Sequence, residues 1–280
     1  MIRPAIVAGL FYPAEPGELA RQASELTTPN YVNTEDLDQP KIDPIMLMLP
    51  HAGYVYSGQV AGLTISKVNL PETVIIMGPC HRVRGQGLSV WSKGSWATPL
   101  GPVPVNEQLA AEIVNCDGDF TAETTPHLQD HCIEVLLPLL KIVRPNINIV
   151  PIAVSEQSAT KLRLAALNLA EVIHRFQETN PNHKLCIVVS SDMSHYITQE
   201  QAKSLDGMAL DAMLKLDGVA LYNTVMQNNI SMCGVLPACL ALQTCKVLGA
   251  TQAQLASYAS SGEVSGDMSK VVGYAGVIVS

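Results

Sequence analysis

Three short apolar runs, Ile45-Met46-Leu47-Met48-Leu49, Thr73-Val74-Ile75-Ile76-Met77 and Leu185-Cys186-Ile187-Val188-Val189, show neither the alternation of a half-exposed strand nor the stripe of a surface helix. Unbroken runs of this length, bounded by Gly, Pro or Ser, predict strands buried on both faces, as in a parallel sheet covered by helices. Elsewhere the period changes. Over residues 158–177, Leu162, Ala166, Leu169, Ile173 and Phe176 recur every three or four positions, which predicts an amphipathic helix. Similar stripes predict helices over 57–68, 107–114, 133–143, 199–216 and 236–248, and further strands are expected over 87–91, 148–153, 254–260 and 271–279. Alternation of the two kinds of segment implies a layered helix–sheet–helix α/β fold with a mostly parallel central sheet, the last two strands forming an antiparallel hairpin. No linker-like composition interrupts the pattern, so residues 1–280 are expected to form one domain, with the polar stretch 27–43 as a surface loop.

Each of the three apolar runs is followed by a small-residue turn that delivers a histidine: His51 in Pro50-His51-Ala52-Gly53, His81 in Gly78-Pro79-Cys80-His81, and His195 after Ser190-Ser191-Asp192-Met193-Ser194. In open α/β sheets the carboxyl ends of the strands build the ligand crevice. If the three strands are neighbours, three imidazoles converge there, and imidazole is both the commonest metal ligand and the commonest general base. Taken singly, His51 reads equally well as a turn residue that bonds a carbonyl. Repetition of the placement is what turns the reading towards function.

Other residues join this set. Asp192 and His195 are three apart, so in a helical turn they would share a face and the carboxylate could orient the imidazole; the plainer alternative is a capping Asp beside a surface His. Ser190, Ser191 and Ser194 crowd the segment, but no Gly-x-Ser-x-Gly elbow supports a serine nucleophile. Cys233, in Ser231-Met232-Cys233-Gly234, lies at the mouth of an apolar helix, where a thiolate would be stabilised. Two histidines and a thiolate suit a late first-row metal. His131 and Glu134, at i and i+3 near the start of another helix, could face the same cavity in proton-transfer roles, or Glu134 could simply complement the helix dipole. His127 has a weaker case, and His174 and His183 read as solvated. Tyr54, Tyr56 and Trp91 could rim the crevice or pack in the core.

Composition narrows the classes. A net charge of -8 with only 17 basic residues and no basic cluster argues against nucleic acid as a partner. No apolar stretch approaches a membrane span, and the run after Met1-Ile2-Arg3-Pro4 is too short for a signal peptide, so a cytoplasmic protein is expected. Seven irregularly spaced cysteines without a Cys-x-x-Cys pair fit free thiols better than disulfides or a zinc ribbon. No nucleotide-cofactor motif is present.

Ala8-Gly9-Leu10-Phe11-Tyr12-Pro13, Pro50-His51-Ala52-Gly53-Tyr54, Gly78-Pro79-Cys80-His81, His131-Cys132-Ile133-Glu134, Ser191-Asp192-Met193-Ser194-His195 and Val272-Gly273-Tyr274 occur in this order. Together they resemble the Memo-like family, named for mediator of ErbB2-driven cell motility, whose microbial members are called AmmeMemoRadiSam system protein B. The resemblance runs essentially from end to end. It implies a fold similar to class III extradiol dioxygenases, a metal site at His51, His81 and Cys233 with Asp192 and His195 close by, iron or copper as the metal, and redox chemistry. It also implies a radical SAM protein and an AMMECR1-like protein as partners. One departure matters: those dioxygenases use two histidines and a carboxylate, whereas the matching set here carries a thiolate, which puts ring cleavage in doubt. The alternative expectation is a non-catalytic protein that binds a peptide or small ligand in the same crevice.

Overall fold

Every residue of Met46–Leu49, Thr73–Pro79 and Leu185–Ser190 that adopts strand geometry is buried, the pattern a sheet covered on two sides imposes. The computed structural model describes residues 1–28, 40–83, 85, 87–181 and 183–280. In chain order its strands are β1 (Ile2–Arg3), β2 (Met46–Leu49), β3 (Thr73–Pro79), β4 (Leu88–Val90), β5 (Ser95–Trp96), β6 (Val103–Pro104), β7 (Phe120–Ala122), β8 (Asn148–Val154), β9 (Leu185–Ser190), β10 (His195–Ile197), β11 (Ala253–Ser260) and β12 (Val271–Val279). The main sheet runs β10-β12-β2-β9-β3-β8-β4-β7, with β11 also paired to β12, and β1, β5 and β6 form a small second sheet.

The centre of the main sheet, β2-β9-β3-β8, is parallel. Antiparallel pairs flank it, β12 on β2 at one side and β4 on β8 at the other, so the sheet as a whole is mixed. β11 and β12 pair antiparallel as the sequence predicts. The three strands that lead to histidines are therefore contiguous. Their ends are also level: Leu49 stands opposite Ser190, and Met77 opposite Val189. Proline sets two of these ends. Pro79 has no N–H to extend the ladder, and Pro50 follows Leu49 directly, restricting it to extended geometry.

Helix Ala159–Thr179 buries Leu162, Ala166, Leu169, Ile173 and Phe176, the stripe read from the sequence, and Ser158 caps it by accepting from Lys161 N–H. Burying each of the larger side chains contributes roughly 1.5–3 kcal/mol. This helix packs on Val235–Val247, which in turn covers β3, β9 and β2. A second group, Pro16–Thr27, Gln59–Ser66 and Leu137–Val143, packs together and leans on β2 and β12 through Gln59–Ser66.

Three helical expectations change. The segment predicted helical over 133–143 is a 3-10 turn, Glu134–Leu136, followed by helix Leu137–Val143. Pro138 is tolerated only in a first turn, so the α-helix starts beside it. The helix expected from residue 57 is preceded by a π-turn, Tyr54–Gly58, a form that recurs beside functional sites. Helix Pro16–Thr27 was not predicted because only Leu19 and Ala23 are buried on it, too few to mark a stripe. Most of the polar stretch 27–43 lies outside the described residues. Among the described residues, no helix is long and apolar enough to cross a membrane.

Candidate functional site

His51, two residues beyond the end of β2, is 1% exposed. Its Nδ1 lies 2.7 Å from Ser190 Oγ at the end of β9, and that hydroxyl donates its proton to the Cys132 carbonyl at 2.7 Å. A hydroxyl has one proton to give, so Ser190 must accept from His51 Nδ1–H. The tautomer is thereby fixed with the lone pair on Nε2. Burial, then the neighbouring charge of His81, lowers the His51 pKa to about 3, which keeps the ring neutral at ordinary pH.

His81, beyond β3, is oriented by Asp130. The carboxylate accepts from His81 N–H at 2.6 Å and meets Nδ1 at 3.1 Å. Burial opposes the Asp130 charge, but the hydrogen bonds and charge of His81, with a smaller share from the Cys132 side chain, outweigh it and hold the carboxyl below its usual range; the carboxylate also accepts from Cys132 N–H at 3.1 Å. Nδ1 is therefore the nitrogen that donates to Asp130, and the neutral tautomer of His81 carries its lone pair on Nε2. His131 completes the cluster, its ring centroid 5.0 Å from that of His81 and 5.5 Å from that of His51, with the Phe11 ring tilted against it at 4.8 Å. Ligand nitrogens of the three imidazoles all lie within 4.8 Å of one another. Burial, then the charges of His51 and His81, lowers the His131 pKa to about 4.

Cys233 approaches His51 from the turn before helix Val235–Val247, with Sγ 3.5 Å from His51 Nε2 and accepting from Asp192 N–H at 3.2 Å, but it stands outside the group of mutually close ligand atoms that the three imidazoles form. Burial, and behind it the Asp192 carboxylate, pushes this thiol up. Desolvation therefore overrides the helix-mouth effect expected from the sequence, and the free thiol is neutral. Asp192 accepts from His51 N–H at 2.8 Å, and its second oxygen lies 3.9 Å from His51 Nε2.

Two expected pairings are corrected. Asp192 and His195 do not share a helical face, because the chain between them is irregular and His195 opens β10. His195 Nδ1 instead donates to the Ser231 carbonyl at 2.8 Å, and its N–H to Ser231 Oγ at 2.7 Å, leaving Nε2 free. Nor does Glu134 join His131 in the crevice. With residues 130–133 outside a regular helix, the i, i+3 argument fails. The fully buried carboxylate faces the amino-terminal segment, paired with Arg3 and accepting from Ile6 N–H, Val7 N–H and Tyr12 OH at 2.8–3.1 Å.

Of the proposed rim, Tyr54 and Trp91 are core residues at 4% and 1% exposure, and only Tyr56 is exposed. His174 and His183 are exposed as expected. His127 is buried between Trp91 and Trp96, with Nε2 on the Ser89 carbonyl. Sequence reasoning weighed Ser190 only as a nucleophile, and passed over Ser231, Asp130, Arg3 and Asp206. The last is a buried carboxylate that accepts from Ser194 N–H and Tyr258 OH and so braces the turn before His195. Next along, Tyr196 adopts φ 60, a left-handed backbone rare for a large residue, and stands exposed.

The buried neutral imidazoles predict acid sensitivity. Burial lowers the His127 pKa from 6.5 to about 4, so between these values the unfolded chain binds a proton that the folded chain refuses. Stability present above pH 6.5 is lost as pH falls towards 4, by roughly 3 kcal/mol for this residue, and His51 and His131 act with the same sign. Urea unfolding at pH 7.5 and 4.5 measures it. His127→Gln should flatten the dependence; an unchanged slope would refute the assignment.

A family model described as Memo-like protein matches residues 3–278. A MEMO1 family protein of Methanobrevibacter smithii is 34% identical, over 98% of each chain. One from Thermotoga neapolitana is 35% identical over the whole of both chains, and one from Aquifex aeolicus is 36% identical over 99% of this chain and 98% of its own.

Proposed function

Because the chain belongs to the Memo-like family, we propose that it is a metal-dependent redox protein, with His51, His81 and Cys233 as ligands and iron or copper as the metal. The observation that carries the reading is the convergence of three imidazoles, two of them oriented by Ser190 and Asp130, with a thiol 3.5 Å from His51 Nε2. The donor set fits such an ion. A tetrahedral metal about 2.0 Å from nitrogen and 2.3 Å from sulfur spaces those ligands about 3.5 Å apart, as far as His51 Nε2 lies from Cys233 Sγ, 3.5 Å. His131 is added to the expected set as a further imidazole within reach. A positive ion would also reverse the order at Cys233, because a coordinating thiol is deprotonated outright.

When bound, the metal would supply electron exchange and polarise a substrate beside it. His195, half-buried with Nε2 free, is placed to accept or deliver a proton there, and Asp192 pins the His51 backbone. Seven free cysteines fit a reducing cytoplasm. Family membership supports a radical SAM protein and an AMMECR1-like protein as working partners.

A second reading is non-catalytic binding of a peptide or small ligand. It draws on the exposed apolar side chains beside the cluster, Tyr196 next to His195 and Leu10 next to Phe11. Ligand binding that survives complete removal of metal would favour it. Elemental analysis of anaerobically purified protein tests the first: close to one iron or copper per chain is expected, falling well below half in Cys233→Ser. A wild type that stays empty after anaerobic reconstitution with either metal would overturn the proposal.

A further inference from the structure

Arg3 is a fully buried cation, and two of its hydrogen bonds go to the backbone of one stretch, residues 127–130. Nε donates to the His127 carbonyl at 2.8 Å, Nη2 to the Asp130 carbonyl, and Nη1 to the Pro4 carbonyl at 3.0 Å and to Glu134. The guanidinium lies over Trp96, 4.2 Å from its ring centroid. Two of those carbonyls bracket the segment that ends in Asp130 and His131. Asp130 in turn fixes the backbone and ring of His81 and the N–H of Cys132. Glu134 closes the arrangement by gathering Ile6, Val7 and Tyr12, and the same amino-terminal segment presents Phe11 against the His131 ring.

A buried ion pair adds little net stability, because desolvating two charges offsets their attraction. What a guanidinium adds over an apolar side chain of similar volume is direction: a rigid planar fork holds several acceptors at fixed angles. Here the fork holds the loop that carries one imidazole of the cluster and the carboxylate that orients another. Groups behind metal ligands commonly change affinity about 10- to 100-fold when lost.

We propose that Arg3, paired with Glu134, is a positioning residue that sets the geometry of Asp130, His81 and His131 and thereby the affinity of the cluster for a divalent metal. The inference rests on the metal reading above for its effect on affinity, and on the geometry alone for its effect on His81.

The test uses Arg3→Met/Glu134→Gln, which removes both charges and keeps one amide oxygen to accept from the amino-terminal segment, together with Arg3→Lys, which keeps the charge and loses the fork. Cobalt(II) titration followed by visible absorption should show affinity falling about 10- to 100-fold in both, at temperatures where circular dichroism shows each metal-free variant folded. Histidine side-chain nitrogen NMR on the metal-free proteins should show the single Nδ1–H tautomer of His81 in the wild type and a tautomer mixture in the variants. Wild-type affinity in either folded variant, or an unchanged His81 tautomer in both, would overturn the proposal. Should the wild type bind no cobalt, the metal reading fails, and the tautomer measurement still decides whether Arg3 positions His81. Should the double variant be unfolded, Arg3→Lys carries both readouts.

Discussion

His51→Ala is expected to lower metal affinity by more than about 100-fold while leaving the fold in place, since losing a ligand should cost at least as much as losing a group behind one. His51 supplies the one nitrogen of the cluster that is almost wholly buried, and its ring is held from two sides, by Ser190 at Nδ1 and by Asp192 at the backbone. Alanine keeps the backbone contact and loses the nitrogen. It also leaves the Ser190 hydroxyl without its incoming proton, a cost of about 1–3 kcal/mol for an unsatisfied buried polar group. Part of that cost is offset in acid, where the buried imidazole is itself destabilising. The expected record is therefore a melting temperature within several degrees of wild type at pH 7.5, no cobalt(II) absorption at micromolar metal, and a flatter dependence of stability on pH. Full metal occupancy in the folded variant would remove His51 from the ligand set. Loss of affinity with complete unfolding would instead assign it a structural role.

The apolar runs made the middle of the fold readable. Thr73–Pro79 and Leu185–Ser190 are buried throughout, so continuous apolar sequence and two-sided burial coincide, and proline marks where β3 stops. The histidines follow from the same logic, because a turn after a central strand has nowhere to go but the crevice. Spacing arguments failed where local conformation was assumed. Asp192 to His195 and His131 to Glu134 share a face only on a helix, and neither segment is one. Hydrogen bonds at long sequence separation decided those side chains instead: Glu134 meets Arg3 across 131 positions, and His51 meets Asp192 across 141. No local pattern encodes such partners. The role of Ser190 could have been found, since parallel register sets a hydroxyl at the end of β9 level with the end of β2. Tyr54 and Trp91 stayed open between rim and core because an aromatic near a motif looks the same in sequence in either place; both fill the core.

Gly234→Ala is expected to remove Cys233 from the cluster without touching a ligand. The turn before helix Val235–Val247 lies directly on the end of β9, Gly234 N–H donating to Ser191 Oγ at 3.0 Å. A Cβ on residue 234 would stand 2.6 Å from Ser191 Oγ and 2.7 Å from the Ser190 carbonyl oxygen, distances that real side chains do not sustain. The backbone torsion is not the obstacle, since φ at Gly234 is -93. Contact alone forbids the methyl group. Ser190 has little room to yield, because its hydroxyl is already committed to His51 and to the Cys132 carbonyl. The turn must therefore lift, carrying Sγ away from His51 Nε2 and from the Asp192 N–H, at a cost of about 1–3 kcal/mol for overpacking. Under the proposed coordination, the sulfur-to-cobalt charge-transfer band should disappear while weaker nitrogen-only binding through the imidazoles persists. Gly234→Ala should thus match Cys233→Ser in its cobalt spectrum and fall below it in stability, because only the glycine variant has to displace the helix mouth. A full charge-transfer band in Gly234→Ala would mean that the turn accommodates the methyl group without moving the thiol, and the tight seating of Cys233 on β9 would not be what brings sulfur to the histidines.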